Sequence, residues 1–308
     1  VRTMARWEHG GEIPDLPRHP LPNGRLVLGR NAGEIGYLYE KIFEREEYLR
    51  HGVRVPAGAT VLDVGAHVGM FTLFVGTRAQ DVTVYAFEPI PELHREMVLN
   101  TTLNEVRTHA FAYGLSDQPG MAEFVYYPQF SMLSGQFGDL EQAGALAGSR
   151  LKRLAQQPGE LAELTGELEV LISQRLKDRR EVTCELRTLS SVIDEHDIGH
   201  VDLLKVDAEN SELEVLRGVR DEHWTRIDQV VVEVQDTGDR LAEVIELLDR
   251  HGFTTATEAA DLLEDSGMVN VFAVRPVRHV GCYLRICRRE RFTHGLVDQL
   301  LNDGGKVG

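Results

Sequence analysis

Short apolar runs along this chain alternate with stretches of helical spacing. Strand-like runs fall at 60–64, 82–88 and 108–113, separated by helical stretches at 69–77 and 92–101. The alternation resumes with 201–206, a helix from about 211, a run at 229–234 and a helix at 239–251. In that last helix Leu241, Val244, Ile245 and Leu248 fit the i, i+3, i+4, i+7 pattern of one buried face. Two further short runs, near 252–256 and 269–274, bring the strands to seven. Strand–helix alternation predicts a largely parallel sheet covered by helices on both faces, because parallel neighbours need a long crossover. The expected fold is α/β, a doubly wound seven-stranded Rossmann-like sheet.

Three segments stand outside this alternation. Residues 1–34 carry Pro14, Pro17, Pro20 and Pro22 among several glycines, which predicts an extended arm laid on the surface. From 34 to 51, Tyr37, Leu38, Ile42, Phe43 and Tyr48 fall close to helical spacing and predict one helix over the ligand end of the sheet. Residues 118–187 form an insertion in which 122–127 reads as an added strand and Gln157-Pro158-Gly159 parts two helical stretches. In the second stretch Leu161, Leu164, Leu168, Leu171, Ile172 and Leu176 share a face. Glu160 and Glu163 stand at its start and Lys177, Arg179 and Arg180 at its end, as the helix dipole prefers. An insertion this long is expected to act as a lid or pocket wall, with Tyr127, Phe130, Met132 and Leu133 as its apolar surface. A dimerisation arm is the competing reading. The expected organisation is an arm and covering helix at 1–52, a ligand-binding domain at 53–275 with a helical insertion at about 128–180, and an extension at 276–308.

A chain of 308 residues can bury a full α/β core and still carry this insertion. Its net charge of −16 argues against general binding to nucleic acid or to anionic membranes. The local exception, Arg285, Arg288, Arg289 and Arg291, reads as a solvated face in preference to a partner-docking strip. Cys184, Cys282 and Cys287 are odd in number and form no C-x-x-C pair, so neither a disulfide framework nor a zinc site is indicated and a cytoplasmic setting fits. No apolar run approaches the ~20 residues that span a bilayer, and the opening residues lack a signal-peptide core. The chain opens on Val1, as a trimmed start or a domain cut from a larger assembly would. A homodimer also stays open.

The run V-L-D-V-G-A-H-V-G at 61–69 leads an apolar strand into a turn with Asp63 at its edge and glycines at 65 and 69. A dinucleotide fold uses three glycines in G-x-G-x-x-G so that pyrophosphate meets backbone amides at a helix start. Here the third glycine is missing, and Asp63 would repel a pyrophosphate. A carboxylate at that place suits a ligand carrying an ammonium and a sulfonium, which points to S-adenosylmethionine, with S-adenosylhomocysteine as product. The second strand ends at Glu88, 25 residues after Asp63, where a carboxylate can accept from both ribose hydroxyls. Capping of the helix that follows is the competing role for Glu88. After the third strand Leu115 can pack on an adenine and Ser116 can hydrogen-bond it. Gly65, Ala66, His67, Gly69, Pro89 and Asp207 complete the expected cofactor contacts.

The fourth strand delivers Asp207 and Glu209 to the same sheet edge. Any acceptor that must lose a proton at this edge needs a nearby proton acceptor, for which Asp207, Glu209 and His67 are the candidates. His67 sits inside the glycine turn, where backbone contact with the cofactor is the favoured role. Glu233, at the end of the fifth strand, is expected to sit hydrogen-bonded under the site. Asp207, Glu209 and Asp236 offer oxygens of the kind Mg²⁺ takes, but their spacing matches no metal motif and no metal is assigned.

V-L-D-V-G-A-H-V-G (61–69), A-F-E-P (86–89), G-L-S-D (114–117) and D-L-L-K-V-D-A-E-N-S-E-L-E-V-L-R-G (202–218) together resemble the FkbM family of S-adenosylmethionine-dependent methyltransferases, over about residues 35–275. The resemblance implies the class I methyltransferase fold. Stretches at 40–52, 126–135 and 231–236 are similar to members associated with polyketide and nonribosomal-peptide assembly. Those members imply methylation of a hydroxyl on a small-molecule or carrier-protein-bound natural-product intermediate. Similar members carry E-V-H-D where this chain has Glu233-Val234-Gln235-Asp236. A glutamine cannot act as a base, so Gln235 is expected to orient the acceptor while Asp207 or Glu209 takes the proton. Transfer to nitrogen or to a sugar, and an inactive cofactor-binding docking module, are the alternatives.

Overall fold

A computed structural model describes residues 16–136, 176–260 and 267–276. In chain order its elements are β1 (Arg18–Pro20), β2 (Leu26–Leu28), α1 (Ala32–Tyr39), β3 (Thr60–Val64), α2 (Met70–Arg78), β4 (Thr83–Phe87), α3 (Pro91–Leu103) and β5 (Thr108–Phe111). Then come β6 (Gly114–Leu115), β7 (Gly120–Tyr126), β8 (Arg180–Arg187), α4 (Leu189–Glu195), β9 (Leu203–Val206), α5 (Glu212–Arg217) and α6 (Asp221–Trp224). β10 (Gln229–Gln235), α7 (Arg240–Arg250), β11 (Thr254–Ala259) and β12 (Met268–Val274) close the described chain.

Seven strands make the main sheet in the order β11-β12-β10-β9-β3-β4-β5. Its five central and edge strands from β10 to β5 run parallel, and only β12 pairs antiparallel, with β10 on one side and β11 on the other. The chain winds outward from β3 to β5, then returns to β9 beside β3 and winds the other way. In an open sheet the crevice at the carboxyl ends of β3 and β9 is therefore where a ligand fits.

The pleat sorts the central strands into two faces, because successive side chains point to opposite sides. Leu62, Val64, Leu204, Val206, Val230 and Val232 face one buried cluster with Leu189 and Val192 of α4, Leu216 of α5 and Val244 and Leu248 of α7. Val61, Leu203 and Val231 face another with Ile35 of α1, Phe71 and Phe74 of α2 and Met97 of α3. On this second face the apolar series stops one pleat short of the carboxyl ends. The next positions are Asp63, Lys205 and Glu233, all buried.

Elsewhere the structure departs from the sequence pattern. The proline-rich start folds in part into a hairpin, β1 with β2, with Leu21 and Val27 buried. Asn100 of α3 secures it, accepting from the Leu28 amide at 2.7 Å and donating at 2.9 Å to the carbonyls of both Leu28 and Val68. The helix expected over 34–51 ends early: α1 passes into one π-helical turn, Glu40–Glu44, and the backbone then leaves helical geometry at Glu46, whose φ is 50°. That wider turn buries Lys41, as π-turns commonly do at functional sites. In the insertion β7 pairs antiparallel with β8, and β6 pairs parallel with β8 on its other side. Arg180, expected at a helix end, opens β8. Tyr127, expected on an apolar pocket surface, is fully buried against Leu176. The two helical stretches up to residue 175 lie outside the described residues. Contacts divide the chain into Val1–Arg275 and Pro276–Gly308, and the second unit lies outside the described residues beyond Pro276.

Gly65 sits where β3 turns into the crevice, at φ 72°, and a Cβ built there would lie 1.8 Å from the carbonyl oxygen of Asp207. Gly58 has nearly the same φ, 73°, with nothing within 4 Å of its Cβ. Gly58→Ala should therefore show only the left-handed strain of about 1–2 kcal/mol. Gly65→Ala adds a backbone clash and should lower the thermal midpoint well beyond the Gly58 variant. Equal melting curves would show that the strand-to-turn backbone can move.

Candidate active site

The turn between β3 and α2 closes on the end of β4. Gly65 and Ala66 both donate their amides to the Phe87 carbonyl at 3.0 Å, and His67 donates its amide to Glu88 Oε2 at 2.9 Å. Glu88 Oε1 accepts from Ile90, just ahead of α3, at 3.0 Å. Glu88 thus both leads into the helix and pins the turn. The His67 amide, in the turn expected to contact a cofactor, is committed to Glu88. With the first three amides turned toward β4, the turn is no nest for pyrophosphate, as the missing glycine implied. Gly69, at φ 88°, starts α2.

Beneath the turn runs a chain of buried charges. Asp63 and Lys205 face each other across β3 and β9, with Lys205 Nζ 3.2 Å from Asp63 Oδ1. Thr72 donates to Asp63 Oδ2 at 2.7 Å. Asp63 is fully buried, and its carboxylate faces the Lys205 ammonium. Lys205 also donates to the carbonyls of Gly65 at 2.9 Å and Val64 at 3.2 Å, and lies 3.6 Å from Asp207 Oδ2. The chain continues through Tyr48, whose hydroxyl is 3.0 Å from Asp207 Oδ2 and 2.9 Å from Glu233 Oε2, to Lys41, 2.5 Å from Glu233 Oε2.

These neighbours divide the two candidate bases. Burial would raise the Asp207 pKa, but Lys205, Lys41 and the Tyr48 hydroxyl outweigh it and hold the carboxyl below its ordinary value. Burial, and then the nearby charges of Asp207, Glu233 and Glu212, push the Glu209 carboxyl well above its ordinary value. Lys41 stays protonated, because Glu233 and Asp207 overcome the burial that alone would lower its pKa. Glu88 is raised to about 7 by burial, against the pull of its two amide donors and Lys205.

The remaining expected residues take separate places. Gln235 ends β10 on the same face as Glu233, opposite Met268. Leu115 is buried in the second core cluster, and the Ser116 amide donates to the Arg187 carbonyl. Pro89 lies between Glu88 and α3. Among the described residues no three or more His, Cys, Asp or Glu side chains are grouped to hold a metal ion. Sequence reasoning missed Lys41, Tyr48 and Lys205 as site residues. The available signal was Lys205, a lone charge inside an apolar strand, where a lysine is seldom buried without a partner.

Residues 63–255 match the family model described as "Methyltransferase FkbM domain". The chain belongs to the FkbM methyltransferase family. It is 38% identical over 255 residues, 83% of this chain and 95% of the relative, to the protein named 31-O-demethyl-FK506 methyltransferase FkbM of Streptomyces tacrolimicus. It is 35% identical over 266 residues to AMB antimetabolite synthetase AmbE of Pseudomonas aeruginosa, covering 83% of this chain but 12% of that one. A solved structure titled Methyltransferase FkbM, from Methylobacillus flagellatus, aligns with a TM-score of 0.43 at 13% identity over 73% of this chain and 46% of that one. The FkbM match begins at Asp63, so it takes in the turn, Glu88, Lys205 and Glu233 but neither Lys41 nor Tyr48. Among the described residues no helix is long and apolar enough to cross a membrane.

Lys41→Met should leave Glu233 buried without its counter-charge and lower stability by about 3–5 kcal/mol, as broken buried pairs do. Adding Glu233→Gln should recover much of that loss, since no lone charge remains. Urea melts of the single and double variants measure both, and a single variant within about 1 kcal/mol of wild type would show that solvent reaches Glu233.

Proposed function

We propose that this FkbM-family chain transfers a methyl group from S-adenosylmethionine to a hydroxyl oxygen of a small-molecule or carrier-protein-bound natural-product intermediate. One observation carries the acceptor class: 38% identity, across 95% of its length, to a relative named for O-methylation of a demethyl-FK506. AmbE, in which the matching region is 12% of a protein named as an antimetabolite synthetase, supports a small-metabolite setting for the acceptor. The acidic lining supports a cationic cofactor, because Glu88, Asp207, Glu209 and Glu233 surround an edge where only Lys41 and Lys205 are basic among the residues described above. Glu88 would hold the ribose: each carboxylate oxygen accepts one amide and keeps a lone pair for a hydroxyl. When bound, S-adenosylmethionine supplies a methyl group activated by a positive sulfur. The chain's share is to orient the acceptor, a role for Gln235 at the end of β10 two residues beyond Glu233, and to remove its proton.

Incubation with S-adenosylmethionine and a panel of hydroxylated metabolites, free and loaded on a carrier protein, should give a single-methyl mass increase on oxygen. Methylation on nitrogen, or none across the panel, would overturn the O-methyl reading.

The raised pKa of Glu88 gives a second test. Between its ordinary 4.5 and about 7 the folded protein holds a proton that the unfolded chain has lost. By itself this makes stability fall as pH rises through that window. A ligand with two hydroxyl donors favours the ionised form, so binding should tighten as pH rises through 7. From pH 6 to 8 the linkage amounts to about tenfold in the dissociation constant of S-adenosylhomocysteine. Calorimetry should find that gain in wild type and a flat, weaker profile in Glu88→Gln. A flat wild-type profile would remove Glu88 from the ribose.

A further inference from the structure

The ring of His67 is held by a chain of side chains that no other part of the site uses. Its Nε2 lies 2.8 Å from Ser131 Oγ, and Ser131 donates its hydroxyl to Glu34 Oε2 at 2.6 Å. Glu34 Oε1 accepts from the Met132 amide, so both of its oxygens are acceptors, the pattern of an ionised carboxylate. Glu34 and Ser131 are both buried. They come from separate segments, Glu34 from α1 and Ser131 from the start of the insertion.

The single hydroxyl proton of Ser131 is committed to Glu34, so toward His67 the serine can only accept. The ring hydrogen must then sit on Nε2, which leaves a bare lone pair on Nδ1 of the neutral ring. That nitrogen is buried and has no hydrogen-bond partner among the described residues. Asp207 and Lys205 are the charged groups that face the ring. Burial first, and Lys205 next, hold the His67 pKa down to about 4 against the opposing pull of Asp207, so the ring is neutral at working pH. Of the other candidates, Asp207 already accepts from the Tyr48 hydroxyl at 3.0 Å and lies 3.6 Å from Lys205 Nζ through the same oxygen, whereas His67 Nδ1 has no such partner among the described residues.

We infer that His67 Nδ1 takes the proton of the acceptor hydroxyl, with Ser131 and Glu34 as positioning residues that fix the ring's tautomer. This rests on the O-methyl reading and replaces Asp207 or Glu209 as the expected base. The acceptor oxygen forms its bond to the methyl carbon while the carbon–sulfur bonding pair returns to sulfur, and the hydroxyl proton passes to Nδ1. The positive charge that then appears on the imidazole is drawn through Nε2–H and the Ser131 hydroxyl toward the Glu34 carboxylate.

Nitrogen-15 spectra of the ligand-free wild-type protein read the tautomer directly. A protonated Nε2 with an unprotonated Nδ1 is expected between pH 6 and 8, and Ser131→Ala should give a mixture. His67→Asn suits the backbone, because φ at this position is 53° and asparagine adopts that region readily. It should melt near wild type, bind S-adenosylhomocysteine within about threefold, and lose ~10²-fold or more in kcat, the usual share of a general base. Ser131→Ala and Glu34→Gln should each lower kcat about tenfold with KM nearly unchanged, as loss of ring orientation through a second group does. A proton found on Nδ1 in the ligand-free protein would overturn the inference. So would a His67→Asn enzyme that keeps its kcat, or one that only binds S-adenosylhomocysteine more weakly and recovers full kcat at saturation. Absence of any hydroxyl methylation by wild type strikes instead at the O-methyl reading, and the tautomer spectrum still decides the arrangement of the chain Glu34–Ser131–His67.

Discussion

Lys205 places a positive charge inside a sheet whose other buried residues are mainly apolar, and much of the surrounding structure answers to it. An uncompensated ammonium at that depth would be driven to deprotonate. Asp63 across the strand pair and Asp207 one pleat further on keep it charged, and its remaining hydrogen bonds hold the carbonyls of Val64 and Gly65. The turn that begins at Gly65 is thereby tied to β9 as well as to β4. One side chain ties the ends of β3 and β9 together.

Charge matching then extends outward. Asp207 and Glu233 together carry more negative charge than Lys205 can neutralise, and the excess is met by Lys41 and the Tyr48 hydroxyl from the segment before β3. This explains why that segment is not a plain helix. A regular α-turn through 40–44 would set Lys41 at a different angle, and the π-helical turn supplies the rotation. Local backbone irregularity follows from an electrostatic demand made by the sheet.

The sheet was legible in the chain because its strands obey two simple periods. Val61, Leu62, Val64, Leu203, Leu204, Val206 and the valines of 230–234 are apolar on both faces, as parallel strands covered by helices must be. Asp63 and Glu88 were legible as acids at strand ends, but their directions were not. Asp63 is two residues after Val61, on the face beneath the turn, whereas Glu88 follows the last paired residue of β4 and is free to turn up toward it. That distinction depends on where pairing stops, which composition does not show. Tyr48 was hidden because it joins the apolar stripe of the expected helix, Lys41 because a lysine in a helical stretch ordinarily reads as exposed, and the β1–β2 hairpin was hidden by its prolines. Ser131 carried no signal at all, since its role exists only once the insertion lies against the glycine turn.

The family match starts at Asp63, and β3 looks like a natural place to cut the chain. Three side chains described above, Glu34, Lys41 and Tyr48, all precede it. Each completes a charge or hydrogen-bond set whose other members lie within the matched region. A segment transferred at the family boundaries would carry the glycine turn and its acids but inherit whatever counter-charges the new preceding segment offered. Grafts of this enzyme class that include the forty residues or so ahead of β3 should thus travel as one piece, and shorter grafts should depend on their host.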